Sequence, residues 1–322
     1  MTTTTPSTTG AVAPAATREA LGPTLIRLQR DGADVVVVDA DLGKSTTARQ
    51  FRDIYPERFF TMGIAEQNMF SVAGGLATLG YTVFTSTFAV FAEHAFDQLR
   101  MSIAQPRLNV KVVASHGGVS TGEDGASAQS IEDIALFASL PTFTVVVPAD
   151  VVEAEAALEA SARTPGPWYI RTGRPKIPVI YTDGPRFQVG KAHMLRDGSD
   201  LTIVACGLMV ERSLRAAEAL AAEGISARVL NMATIRPLDV EALERAATET
   251  GAIVVAEEHL VHTGLGAMTA QALAERAPVP MEFVGVPDRY GESATWDQVL
   301  EIMGLTADGV ATAARKVLAR KG

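Results

Sequence analysis

The chain has 322 residues, 47% hydrophobic and 20% charged, enough for two ordinary globular domains with large cores. A net charge of -9 argues against nonspecific binding to nucleic acid or anionic membranes, and no apolar run approaches the roughly 20 residues that span a bilayer. A single cysteine, Cys206, rules out an intrachain disulfide framework and fits a reducing compartment, with the cytoplasm as the expected location.

Residues 1–14 are rich in Thr, Ala and Pro, with no basic n-region and no apolar h-region, so they read as a disordered tail rather than a signal peptide. Strands and helices then alternate. Asp34–Asp39 is a β-branched run of the kind buried in parallel sheets, and helical patterns follow at 65–79 and 88–103. Val110–Ala114 and Thr144–Val147 read as strands. The second stops at Pro148-Ala149-Asp150, where Asp150 is placed to cap an Ala/Glu-rich helix over 151–163. Trp168–Arg171 is a further strand. Prolines at 175, 178 and 185 then mark a connection, giving a first domain at 15–180, a linker at 181–186 and a second domain at 187–322. In the second unit Leu201–Gly207 is a strand entering a turn, a helix runs to about Glu223, and Ala227–Leu230 and Ile253–Ala256 are strands. The twice-repeated alternation predicts an α/β protein with two doubly wound, mainly parallel sheets.

Gly63-Ile64-Ala65-Glu66-Gln67-Asn68-Met69 places one carboxylate, Glu66, in an otherwise small and apolar run. A buried carboxylate is costly unless it meets a specific donor; the plain alternative is a solvated first-turn charge. Ligands of doubly wound sheets gather at the carboxyl ends of strands. The polar segments expected there are Asp39–Ser45, Thr85–His94, Ser115–Ser130 and Arg171–Arg174.

Taken together, these motifs resemble the C-terminal half of transketolase from about residue 15 onward. The resemblance rests on Gly-Ile-Ala-Glu-Gln, Thr-Phe-x-x-Phe, Ser-His-Gly through Gly-Glu-Asp-Gly, Thr234–Asp239 and Val286–Ser293. It implies a pyrimidine-binding domain of a thiamine diphosphate enzyme, followed by the transketolase C-terminal domain. It also implies that Glu66 shares a proton with the cofactor's aminopyrimidine, favouring the imino tautomer whose exocyclic nitrogen then acts as a base. Phe88 and Phe91 would stack on that ring, with His94 standing where transketolases often place a tyrosine and Asp41 lying near the cofactor. Ser45, His116 and Arg171 would hold a sugar phosphate, and Asp124 would contact donor hydroxyls. Each has a structural use as well: core aromatics, a turn cap at Asp41, a surface ion pair at Arg171, and an Asp-Gly turn at Asp124.

One residue departs from the family pattern. Ala128 stands where typical transketolases carry a histidine near the donor's reacting carbons, which opens the identity of the donor. The family's metal motif, Gly-Asp-Gly followed by Asn, is not found in the sequence. The implied assembly is therefore a split transketolase. A separate subunit would carry the diphosphate and Mg²⁺ in an α₂β₂ enzyme that transfers a two-carbon ketol unit from a ketose, expected to be phosphorylated, to an aldose. Competing readings are the β subunit of a 2-oxoacid dehydrogenase decarboxylating component, a 1-deoxyxylulose-phosphate-synthase-like enzyme, and a noncatalytic paralogue. His259 and His262, beside Glu257 and Glu258, are expected in a solvated strand-to-helix loop. Cys206 is expected in the core, and Arg289 and Glu292 in a packing loop.

Overall fold

The computed structural model describes residues 12–184 and 186–321, so most of the expected tail lies outside the described residues, as do Pro185 and Gly322. The first sheet contains β1 (Val35–Asp39), β2 (Phe59–Thr61), β3 (Thr82–Phe88), β4 (Val110–Ser115), β5 (Thr144–Val146) and β6 (Trp168–Arg171). The second contains β7 (His193–Arg196), β8 (Leu201–Ala205), β9 (Ala227–Asn231), β11 (Ile253–Leu260) and β12 (Met281–Val286). Between β9 and β11 the chain leaves its own domain: β10 (Thr234–Arg236) pairs antiparallel with β5 and becomes the border strand of the first sheet. The strand orders are β10-β5-β6-β4-β3-β1-β2 and β12-β11-β8-β9-β7. Apart from the border strands β10 and β7, all pairings are parallel. Two mainly parallel α/β sheets are thus as the sequence predicts.

Residue chemistry accounts for the layers. All five residues of β1 and all five of β8 are buried, as expected for strands covered on both faces. The helix Glu66–Thr78 buries Glu66, Met69, Phe70, Ala73, Gly74 and Ala77, one face at helical spacing. Asp150 caps the helix Val151–Arg163, its Oδ1 accepting from Glu153 N at 2.8 Å. One hydrophobic core runs through both domains, joining Val112 and Val145 of the first sheet to Ile235, Val204 and Val255. Among the described residues no helix is long and apolar enough to cross a membrane.

The structure corrects several boundaries. Thr85–Phe88 ends strand β3 instead of opening a loop, and the helical pattern at 88–103 is broken into Ala89–Glu93, Phe96–Leu99 and a π-helical turn at Arg100–Ala104. β11 continues to Leu260, so Glu257, Glu258 and His259 are buried, not solvated. Within the expected linker Tyr181 is buried, its hydroxyl bound by Asn231 Nδ2 at 2.8 Å.

Candidate active site

The carboxyl ends of β1, β3, β4 and β6 open on one side of the first sheet, and the polar segments converge there. Glu66 is the first residue of its helix and is only 8% exposed. Its carboxylate has no hydrogen bond or ion pair among the described residues, although the helix N-terminus favours negative charge at that position. The next residue ties this helix to an aromatic ledge: Gln67 Nε2 donates to the main-chain oxygen of His94 at 3.3 Å. Along the ledge the His94 ring lies 5.9 Å from Phe91, Phe91 stacks on Phe88 at 5.5 Å, and Phe88 stacks on His116 at 3.7 Å. Phe88 is buried and His94 exposed, so the ledge runs from the interior to the surface.

His116 is held in an uncommon conformation, with φ 60. Asp41 (φ 63) and Thr47 (φ 70), on the neighbouring β1 loop, share it. Such backbone is strained for residues with side chains and concentrates at functional sites. Ser115 Oγ lies 2.8 Å from His116 Nδ1, and Arg18 Nη1 lies 3.3 Å from Nε2. A guanidinium only donates, so Nε2 accepts and the ring proton sits on Nδ1, donating to Ser115. Burial, with Arg18 and Arg174 nearby, lowers the His116 pKa to about 3, so the ring is neutral at physiological pH. The same Arg18 Nη1 donates to the Ser45 main-chain oxygen at 2.9 Å. Burial and the charge of Arg174 lower the pKa of Arg18, and its buried Nε has no partner among the described residues. Arg18 thus meets a neutral imidazole directly, with the charge of Arg174 felt from the rim, and guanidinium groups so placed suit an anion.

Arg171 lies inward of this cluster, where it lines a small cavity with Ser120 and Glu258, which corrects the surface ion pair to a buried one. Only 4% of its side chain is exposed. Its Nε pairs with Asp133 at 2.9 Å, and Nη2 donates to the main-chain oxygens of Ser130 and Glu258. The arginine that reaches the rim is Arg174, about a third exposed and paired with Glu123 at 3.0 Å. Asp124 lies on the same rim, 3.8 Å from Arg174, and Asp41 is exposed on the β1 loop. Asp41 is not the residue capping that turn; Asp39 Oδ2 accepts from Leu42 N at 3.1 Å. Ala128 is half-buried, its N–H donating to the Gly125 oxygen. Sequence reasoning missed Arg18, Arg174 and Glu93. Burial pushes the Glu93 carboxyl up to about 8, and it accepts from Ser130 Oγ.

Fold and site together define a two-domain α/β protein with a buried acid and an aromatic shelf at the carboxyl edge of its first sheet. Residues 13–179 match the transketolase pyrimidine-binding domain and residues 190–310 the transketolase C-terminal domain. The chain is 41% identical over 288 residues to a 6-deoxy-6-sulfo-D-fructose transketolase subunit from Clostridium sp., covering 89% of each. It is 38% identical to human transketolase, of which it spans 49%. A solved structure described as a split gene transketolase, inactive beta4 tetramer, superposes with a TM-score of 0.88 at 46% identity, covering 96% of this chain and all of that one. The chain belongs to the transketolase family and matches its pyrimidine-binding and C-terminal domains.

Proposed function

We propose that this chain is the pyrimidine-side subunit of a split transketolase, moving a two-carbon ketol unit from a phosphorylated ketose to an aldose. A separate subunit would hold the diphosphate of thiamine diphosphate and its Mg²⁺, completing an α₂β₂ enzyme. The observation that carries this reading is Glu66, buried without a partner among the described residues and tethered through Gln67 to the Phe91–Phe88 ledge. A flat heteroaromatic needs an aromatic face and a carboxylate at its edge, and both are present.

When bound, thiamine diphosphate supplies the carbon nucleophile that opens the ketose C–C bond. Glu66 would share a proton with the pyrimidine ring nitrogen and so favour one tautomer. Phe88 and Phe91 orient the ring, with His94 and Asp41 at its margins. Arg18, Arg174, His116 and Ser45 bind the phosphate, and Asp124 meets the sugar hydroxyls. The paired arginines favour a phosphorylated sugar over an unphosphorylated 2-oxoacid. Two relatives support the need for a partner: one is named as a subunit, and another is described as inactive as a β tetramer.

The test is Glu66→Gln in the chain paired with its diphosphate-binding subunit, assayed with thiamine diphosphate, Mg²⁺ and a ketose phosphate. Turnover is expected to fall by about 10²–10⁴-fold, the scale of a lost proton-transfer partner. Near-wild-type turnover in a folded complex would overturn the assignment.

A further inference from the structure

We propose that Glu258, on the second domain, is a positioning residue for the first domain's substrate loop, its carboxylate holding the turn after His116 in place. The proposal rests on the functional reading above for what that loop does. β11 carries Glu258 across the domain boundary, where it is 6% exposed and its Oε1 accepts from Ser120 N at 2.6 Å. The turn closes directly on this carboxylate: a Cβ at Gly118 would lie 2.3 Å from its Cδ and Oε1, and Gly118 has φ +83, so glycine is required on both grounds.

The main chain at Glu258 ties the same loop from behind. Arg171 Nη2 bridges the Glu258 oxygen at 2.9 Å and the Ser130 oxygen at 3.1 Å, and Ser130 O accepts from Gly118 N at 2.6 Å. Thr121 Oγ1 returns to the His116 oxygen at 2.9 Å. Farther along, Gln129 Nε2 donates to the Glu292 oxygen at 2.9 Å, and a Cβ at Gly122 would meet Trp296 N at 3.1 Å. The second domain thus grips the loop at Gly118, Ser120, Gly122 and Gln129. A residue at φ 60, such as His116, persists only where its surroundings over-determine it, and these contacts do so. Glu66 takes no part in this web, so loss of the Glu258 carboxylate acts on the sugar side of the site and leaves cofactor binding intact.

The experiment compares Glu258→Ala with Glu258→Gln, which keeps an acceptor oxygen. In the holo-complex, Glu258→Ala is expected to raise KM for the ketose phosphate by about ten-fold while kcat and thiamine diphosphate affinity stay within about two-fold, and Glu258→Gln to restore the wild-type KM. On the chain alone, amide exchange across 117–122 is expected to rise by about ten-fold in Glu258→Ala, with the rest of the molecule unchanged. If Glu258→Ala does not fold, Glu258→Asp, one methylene too short to reach Ser120 N, breaks the same contact and is read the same way. Unchanged exchange at 117–122, or KM and cofactor affinity shifting together, overturns the proposal. The exchange arm decides even if the wild-type pair transfers no ketol unit, a result that would count against the functional reading alone.

Discussion

Arg18 and Arg174 hold guanidinium groups close enough to depress the basicity of the same imidazole, and Arg174 is held at the rim by Glu123. Replacing either with Ala removes a charge-assisted hydrogen bond. KM for a phosphorylated ketose is expected to rise by roughly 10–100-fold while an unphosphorylated analogue is little affected, measured by steady-state kinetics on the assembled pair. The sequence made Glu66 conspicuous because a lone acid in an apolar run has few explanations. It did not separate Arg171 from Arg174. Arg171 ends strand β6 and turns inward to Asp133, whereas Arg174 lies three residues beyond on a loop, and motif spacing carries no information on which one faces out. Arg18 was beyond reach because it stands 98 residues from His116 in a segment with no motif of its own.

At the scale of elements, the telling feature is β10. Its three residues close the β5 border of the first sheet, and Arg236 fastens it by donating to the main-chain oxygens of Ala138 and Pro141. An uncovered parallel edge is a template for pairing with other chains. A fragment ending at residue 184 is therefore expected to self-associate, read as oligomers or aggregates by size-exclusion chromatography with light scattering, whereas the full chain stays discrete. The strands β1, β4, β6 and β8 were legible because they are continuous buried runs. β10 and β2 were not, since neither is an unbroken apolar run: β2 exposes Phe60 and Thr61, and β10 is Thr-Ile-Arg. The end of β11 was misread for a different reason: Glu257, Glu258 and His259 look solvated by composition, yet each is buried against a backbone donor. Glu257 accepts from Leu265 N and Gly266 N, Glu258 from Ser120 N, and His259 Nε2 from Ala135 N.

At the scale of the whole molecule, the domains also meet through Glu153. Its carboxylate accepts from Ala149 N and from Asn231 Nδ2 of β9, and Asn231 in turn reaches the Tyr181 hydroxyl. Burial raises the Glu153 pKa from 4.5 to about 7. The folded chain therefore holds this proton more tightly than the unfolded one. The group's contribution to stability is full below 4.5 and is lost as pH rises through about 7. Glu153→Gln removes that loss once the Asn231 amide turns over, so that Oδ1, unpartnered among the described residues, accepts from the new N–H. At pH 8–9 the variant is expected to be more stable than wild type by roughly 1–3 kcal/mol, with a flatter pH profile between 5 and 8 in thermal or urea denaturation. The exchanged strand has one more consequence. Because the amino-terminal unit borrows its last ribbon from downstream, a chimera joined anywhere between residues 184 and 234 must match the donor of that ribbon to its recipient, so these two modules travel between proteins as a single inheritance.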